Sequence, residues 1–288
     1  MPTMRVNDVD LAYDEAGDGP AVVLVHAGCA DRRMWEHQFQ ALAADFRVIR
    51  YDWRGYGESA DATGDFAHHE DLTALMDALE IDRAALVGSS DGGKISLDAA
   101  LTSPGRITSL TLVAPGVSGH DWPSSMTSLY RERVHDVLGL DRLRRYRTGE
   151  ADGIDAAELD AYSEAETEFL VAGPSRTRED LDPEVWRLAL AMDRRLNQRA
   201  WSRPQTPSRT ARPPAITRLH EVELPTLVVT GLADVPEILA LSNLLVEGIK
   251  GARGVEFPRT GHLPPLERPD EFNAALLDFL REPGTAGH

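Results

Sequence analysis

Ala85-Leu86-Val87-Gly88-Ser89-Ser90-Asp91-Gly92-Gly93-Lys94-Ile95 is the stretch whose reading decides the fold of this chain. Ala84 to Val87 is a short apolar run of the kind buried inside a sheet. Helix-compatible sequence resumes at Gly93 and continues through Leu97, Ala99, Ala100 and Leu101. Between them lies Gly88-x-Ser90-x-Gly92, the spacing of a sharp strand-to-helix turn. A serine lifted above the sheet edge needs a strained backbone conformation, uncommon for a residue with a Cβ. Its neighbours two positions away must pack so closely that only glycine avoids a clash. Centred on Ser89, the glycine positions would fall on Val87 and Asp91, so Ser90 is the presented residue. Alone, the pattern would fit any glycine-rich turn, and its weight comes from the surrounding chain.

Outward from this turn, buried strands recur. Residues 4–14 alternate, with Val6, Val9, Leu11 and Tyr13 among polar neighbours, and predict an opening hairpin; 14–20 is a turn. Ala21-Val22-Val23-Leu24-Val25 is continuously apolar, as a central parallel strand requires, and delivers His26-Ala27-Gly28-Cys29 to its carboxyl end. Phe46 to Tyr51 predicts the next strand, ending in Asp52-Trp53-Arg54-Gly55-Tyr56-Gly57-Glu58-Ser59. His69 to Leu79 has helical spacing, and Ser109 to Pro115 reads as another buried strand. Far downstream, Leu224 to Thr230 leads into Gly231-Leu232-Ala233-Asp234. A helix from Ile238 to Gly248 and a short strand from Gly254 to Phe257 follow. The loop Arg259-Thr260-Gly261-His262-Leu263-Pro264 precedes a last amphipathic helix, Glu271 to Leu280. This alternation predicts an α/β class with a mostly parallel central sheet flanked by helices. Ligands of such sheets bind outside the carboxyl ends of the strands.

From about Gly119 to His220 the rhythm breaks and no strong strand is expected. Leu159, Tyr162, Glu166 and Phe169 carry a helical pattern with one polar interruption. Asp182-Pro183-Glu184 predicts a helix start, with Asp182 as N-cap and Pro183 at the first helical position. Residues 202–214, rich in Arg, Ser, Pro and Thr, predict a flexible return. The expected division is therefore a core of residues 1–118 and 219–288, with 119–218 inserted as a helical cap. Both ends of the insert re-enter one sheet, which argues against an independent domain.

The 288 residues suffice for one large domain with an insertion, and 42% of them are hydrophobic. The N-terminus lacks the apolar core of a secretory signal, no window reaches a membrane-spanning length, and a cytoplasmic address is expected. Cys29 is the single cysteine and there is no zinc-ligand spacing, so neither disulfide nor metal is expected. Thirty Lys and Arg against 47 Asp and Glu give a formal net charge of −17. That acidity disfavours nucleic acid and anionic membrane as partners, favours solubility and is read as a solvated face; a small-molecule substrate is the expected partner, and the oligomeric state stays open.

Several motifs together resemble the α/β-hydrolase-fold serine hydrolases, of the capped esterase- or lactonase-like type. His26-x-Gly28 with Trp35 is similar to the family's oxyanion loop, and Asp52-x-Arg54-Gly55-x-Gly57-x-Ser59 to its loop after the next strand. Gly88-x-Ser90-x-Gly92 is similar to its nucleophile elbow and Gly231-x-x-Asp234 to its acid loop. Gly261-His262-x-Pro264-x-x-Glu267-x-Pro269-x-x-Phe272 is similar to its histidine loop. The likeness covers residues 4–118 and 219–282 and not the insert. It implies a triad in chain order, with Ser90 as nucleophile, Asp234 as acid and His262 as base. The residue after the nucleophile, Asp91, would supply one backbone N–H of the oxyanion hole. The usual His-Gly pair here reads His26-Ala27-Gly28, so the second donor is expected from Gly28 or Cys29. The Asp91 carboxylate is read as complementing the dipole of the following helix.

His26 is expected to be a structural loop residue, and His68 and His69 to be solvated. Cys29 is read as a small buried thiol. His120, Trp122 and Trp186 are the candidate substrate contacts. Tyr130, Phe169 and Met192 add apolar surface, which predicts a small to medium apolar acyl or lactone group. The implied reaction is hydrolysis of a carboxylic ester or lactone without metal or cofactor. The same fold and triad also serve cofactor-free C–C bond hydrolysis, lyase chemistry and catalytically slow ligand receptors, so these stay open. Dehalogenase or epoxide-hydrolase chemistry is disfavoured, because Ser90 stands where a carboxylate nucleophile would be.

Overall fold

The computed structural model describes residues 2–203 and 206–285. Among them eight strands form one sheet: β1 (Thr3–Val6), β2 (Val9–Ala16), β3 (Ala21–Val25), β4 (Arg47–Tyr51), β5 (Ala84–Ser89), β6 (Ile107–Val113), β7 (Thr226–Gly231) and β8 (Arg253–Phe257). Their spatial order is β1-β2-β4-β3-β5-β6-β7-β8. The opening hairpin is antiparallel and β2 runs antiparallel to β4, while every pairing from β4 onward to β8 is parallel. The sheet therefore presents the carboxyl ends of β3 to β8 along one edge.

The apolar runs in the central strands exist because both faces are covered. Successive side chains of a strand point to opposite faces. Val23, Val25 and Leu86 join one core cluster, and Val22, Leu24, Ala85 and Val87 the other. The helices of the core are α1 (Glu36–Leu42), α2 (His68–Ala78) and α3 (Asp91–Thr102) before the insert. The segment between β6 and β7 carries α4 (Ser124–Arg133), α5 (Leu140–Arg147), α6 (Ala156–Thr167) and α7 (Pro183–Ser202). After β7 come α8 (Pro236–Gly248), α9 (Pro264–Glu267) and α10 (Pro269–Leu280). Leu72, Leu75 and Met76 of α2, Ile95 and Leu97 of α3 and Leu241 and Leu245 of α8 cover the first face. Leu42 of α1 and Phe272, Leu276 and Phe279 of α10 cover the second.

The intervening segment has a small core of its own. Tyr146 and Trp201 stack at 4.3 Å, and Val134, Leu143, Leu159, Tyr162 and Phe169 pack around them. That cluster closes onto Ala114, Val235 and Ile238, which stand just past β6 and β7, so the segment lies over the carboxyl edge of the sheet. α7 begins as the sequence predicts. The Asp182 carboxylate accepts the Glu184 backbone N–H at 2.7 Å, and Pro183 occupies the first turn. The expected flexible return is instead tied down where it is described. Arg209 pairs with Asp65 and Glu70, Ala211 N–H donates to Asp98 and Ala215 N–H to Ser118. Composition suggested mobility, but tertiary contacts hold this stretch at Arg209, whose N–H also donates to Phe66 O at 2.8 Å, and at Ala211. Residues 204 and 205 of that stretch lie outside the described residues.

Candidate active site

Ser90 sits between β5 and α3 with φ 53° and ψ −117°, a conformation that strains any residue carrying a Cβ. The surrounding glycines show what holds it there. A Cβ on Gly88 would overlap the carbonyl of Gly92, and one on Gly92 would overlap the carbonyls of Val25 and His26. The turn is thus wedged against the end of β3. It is also anchored: Ser90 N–H donates to Val113 at 2.8 Å, and its carbonyl accepts from Gly93 and Gly116 at 2.9 Å each.

Asp234 lies in the loop after β7 and His262 in the loop after β8. His262 Nδ1 bonds Asp234 Oδ2 at 2.6 Å, and Asp234 Oδ1 accepts the Val235 N–H at 2.7 Å. Both carboxylate oxygens are thereby used, and the bond at Nδ1 leaves Nε2 as the imidazole's free nitrogen. Burial alone would lower the His262 pKa. The Asp234 charge and hydrogen bond, helped by the Asp91 charge, outweigh it, and the net shift is upward. Glu267 fixes the histidine loop: Oε1 accepts Gly261 N–H at 2.7 Å, while Arg176 grips both carboxylate oxygens at 3.0 and 2.8 Å.

Ser90, Asp234 and His262 all face one cavity of about 420 Å³, which Gly28, Cys29 and Asp91 also line. Gly28 lies close to the elbow, since a Cβ there would press on Asp91 Oδ2. The other wall belongs to the segment between β6 and β7: Trp122, Met126, Tyr130, Phe169 and Leu170, with Glu166, Asp193 and Asn197. A second cavity of about 360 Å³ adjoins it across Asp91, Glu166, Leu196 and Asn197.

The family model for the alpha/beta hydrolase fold matches residues 20–269, which span β3 to β8, the elbow and both loops just described. The chain belongs to the alpha/beta hydrolase fold family. It is 29% identical over 286 residues to a 2-hydroxy-6-oxo-6-phenylhexa-2,4-dienoate hydrolase of Comamonas testosteroni, covering 96% of this chain and 93% of that one. A solved hydrolase from Pseudomonas aeruginosa PA01 superposes with a TM-score of 0.73 at 29% identity, covering 98% of each chain. The enol-lactonase from Burkholderia xenovorans LB400 shares the fold at a TM-score of 0.73 and 24% identity, covering 98% of this chain and all of that one. The protein is an alpha/beta hydrolase enzyme, and its relatives act on small molecules.

Several sequence candidates of this hydrolase fall elsewhere than expected. Trp122 lines the cavity beside Ser90, but His120 does not; it packs edge-on against Trp122 at 4.9 Å. Trp186 also misses the cavity. It packs with the core cluster around Leu181 and Ala189, because α7 turns that face toward the body of the protein. Met192 is buried in the same cluster. His69 is buried and His68 half-buried against Trp53 and Phe66, so neither is solvated. Burial, with positive charge nearby, pushes His68 down to about 3. Cys29 is half-buried by area, and loss of hydration, followed by the Asp193 and Glu166 charges, pushes the thiol pKa well up.

His26 is a structural residue. Its ring stacks on Trp53 at 4.3 Å, Nε2 accepts the Trp53 N–H at 3.2 Å, and Nδ1–H donates to Ala27 O at 2.8 Å. The loop after β4 is scaffold too. Asp52 accepts the N–H groups of Arg32 and Glu58 at 2.8 and 2.9 Å and pairs with the Arg32 side chain, while Arg54 grips Asp71 with two bonds of 2.8 Å. Asp91 pairs with Lys94 at 2.6 Å in the first turn of α3.

The residues that sequence reasoning missed are Glu166, Asp193 and Asn197. A signal existed: Glu166 interrupts an apolar helical face, and Asp193 and Asn197 follow Ala189 at four-residue steps.

Proposed function

We propose that this enzyme is a serine hydrolase that cleaves a carboxylic ester or lactone of small to medium size through an acyl-enzyme on Ser90. The observation that carries the reading is the meeting in one cavity of a serine on a strained turn and a histidine held by a buried aspartate. Ser90 Oγ attacks the carbonyl carbon while His262 Nε2 takes its proton. Asp234 holds the Nδ1–H tautomer and stabilises the imidazolium. The backbone N–H of Asp91, with that of Gly28 or Cys29, receives the carbonyl oxygen as it gains charge. His262 returns the proton to the leaving alkoxide, and water repeats the sequence to free the acid. Residues 119–218 act as the lid that shapes the substrate.

A C–C bond hydrolase on the same triad is the second reading, because the Comamonas testosteroni relative is named for a dienoate substrate. Such a substrate carries a carboxylate. Among the described residues no lysine or arginine lines the catalytic cavity, and this favours the ester or lactone. The test is labelling with a fluorophosphonate probe, followed by a panel of aryl esters and lactones of increasing acyl length. Labelling of the wild type that Ser90→Ala abolishes, with ester turnover down by at least about a thousandfold in that variant, is the expected result. Near-normal turnover in Ser90→Ala overturns the covalent mechanism. Labelling without turnover of any ester or lactone hands the case to the C–C or receptor reading.

A further inference from the structure

The catalytic cavity has a polar wall that the triad chemistry does not use. Glu166 on α6 accepts the Tyr130 hydroxyl. Asn197 on α7 donates from Nδ2 to Glu166 Oε2 at 2.7 Å and to Asp193 Oδ2 at 2.9 Å. All four residues line the cavity. Asp193 is 1% exposed, and among the described residues its Oδ1 accepts no hydrogen bond. A buried carboxyl oxygen without a donor is destabilising unless a shared proton or a ligand completes it. Burial, and then the Glu166 carboxyl, push the Asp193 pKa well up. Gly28 and Cys29 line the same cavity as the two acids.

The charge balance of the wall is one-sided. Asp91 has the Lys94 ammonium as its partner, and Asp234 is engaged by the His262 imidazole. Among the described residues, Glu166 and Asp193 have no cationic partner. The rings of Trp122, Tyr130 and Phe169 line the same space. A pair of acids that share a proton, set beside aromatic faces, is a chemistry that suits an ammonium ion, through N–H donation to oxygen and attraction to the ring quadrupole.

We propose that Glu166 and Asp193, with the rings of Trp122, Tyr130 and Phe169, bind a protonated amine carried by the substrate. That the substrate is an ester or lactone rests on the proposed function; the amine site stands on its own geometry. The site refines the expected apolar preference, since the acidic wall repels anions and attracts a cation.

The experiment is a calorimetric titration of the whole enzyme at neutral pH with two amides of butanoic acid, which resist the hydrolysis an ester would undergo. One is the 2-(dimethylamino)ethyl amide, a cation; the other is the 3-methylbutyl amide, its neutral isostere. The wild type should bind the cation about tenfold more tightly or better. Asp193→Asn and Glu166→Gln should each bring that ratio toward one, read within each variant so that a general loss of binding cancels. Equal or weaker binding of the cation by the wild type overturns the proposal, even where a variant fails to fold. Fluorophosphonate labelling of the same preparation separates the two readings. Labelling without cation preference sinks the amine site alone, and cation preference without labelling sinks the acyl-enzyme alone.

Discussion

His262 carries the most informative single-residue balance in the protein. Burial disfavours its charged form, while Asp234 at 2.6 Å favours it more strongly, so its pKa lies above the usual histidine value of about 6.5. A base must be unprotonated to act, so kcat/KM should rise with pH through a midpoint above that usual value. In Asp234→Asn the favourable charge is gone while the burial remains. The midpoint should then fall below about 6.5, with kcat/KM at the plateau reduced by roughly a hundredfold or more. A midpoint that moves up or stays in place in Asp234→Asn would mean that another group controls the profile. His26 answers to different physics: with both ring nitrogens engaged and its pKa lowered chiefly by burial, it stays neutral and structural.

At the scale of elements, the elbow is a contact among β3, β5 and α3 that leaves no room for a methyl group. Gly92→Ala would force its Cβ into the carbonyls of Val25 and His26, neither of which can swing away without breaking the end of β3. We expect it to lower the unfolding free energy by about 3 kcal/mol. Gly64→Ala, where nothing lies within 4 Å of the added atom, should change it by less than about 0.5 kcal/mol. Urea unfolding of the two variants beside the wild type checks both figures. Equal stabilities would mean that the turn relaxes and that tight packing does not hold Ser90 in its conformation. The same kind of contact joins the acid and histidine loops, where a Cβ on Gly231 would overlap the carbonyl of Gly261.

Across the whole molecule, the proposed chemistry and the proposed selection draw on different parts of the chain. The sheet edge presents Ser90, Asp234 and His262, while Trp122, Met126, Tyr130 and Phe169 come from the segment folded over it. Replacing Met126 or Phe169 by alanine enlarges a cavity of about 420 Å³ without touching the three. Such variants should shift the best aryl ester toward longer acyl chains, with fluorophosphonate labelling of Ser90 retained. Labelling lost from a folded variant would instead make the lid part of the catalytic machinery. Trp186→Ala serves as the contrast: that side chain faces the core cluster, so it should cost stability and leave chain-length preference unchanged.

The sheet and the placement of the three residues were legible in the sequence, because local rules govern them. A strand covered on both faces must be apolar throughout, as residues 21–25 and 84–87 are. A serine on a strained turn needs glycines two positions away, and a loop after a strand lies at the sheet edge wherever that strand goes. Even the odd residue in a helix was visible, since Glu166 interrupts an apolar face. What that interruption faces was not legible. Glu166 and Asp193 become one polar wall only because α6 and α7 pack side by side, sharing Asn197 across 31 and four residues of sequence. His68 was read as solvated because it precedes a helix; Phe66, two residues before it, and Trp53, from an earlier loop, cover it. Trp186 looked like a substrate contact because an exposed and a core-facing tryptophan have the same local sequence signature. Burial by distant elements has no local pattern, and tertiary packing alone decided it.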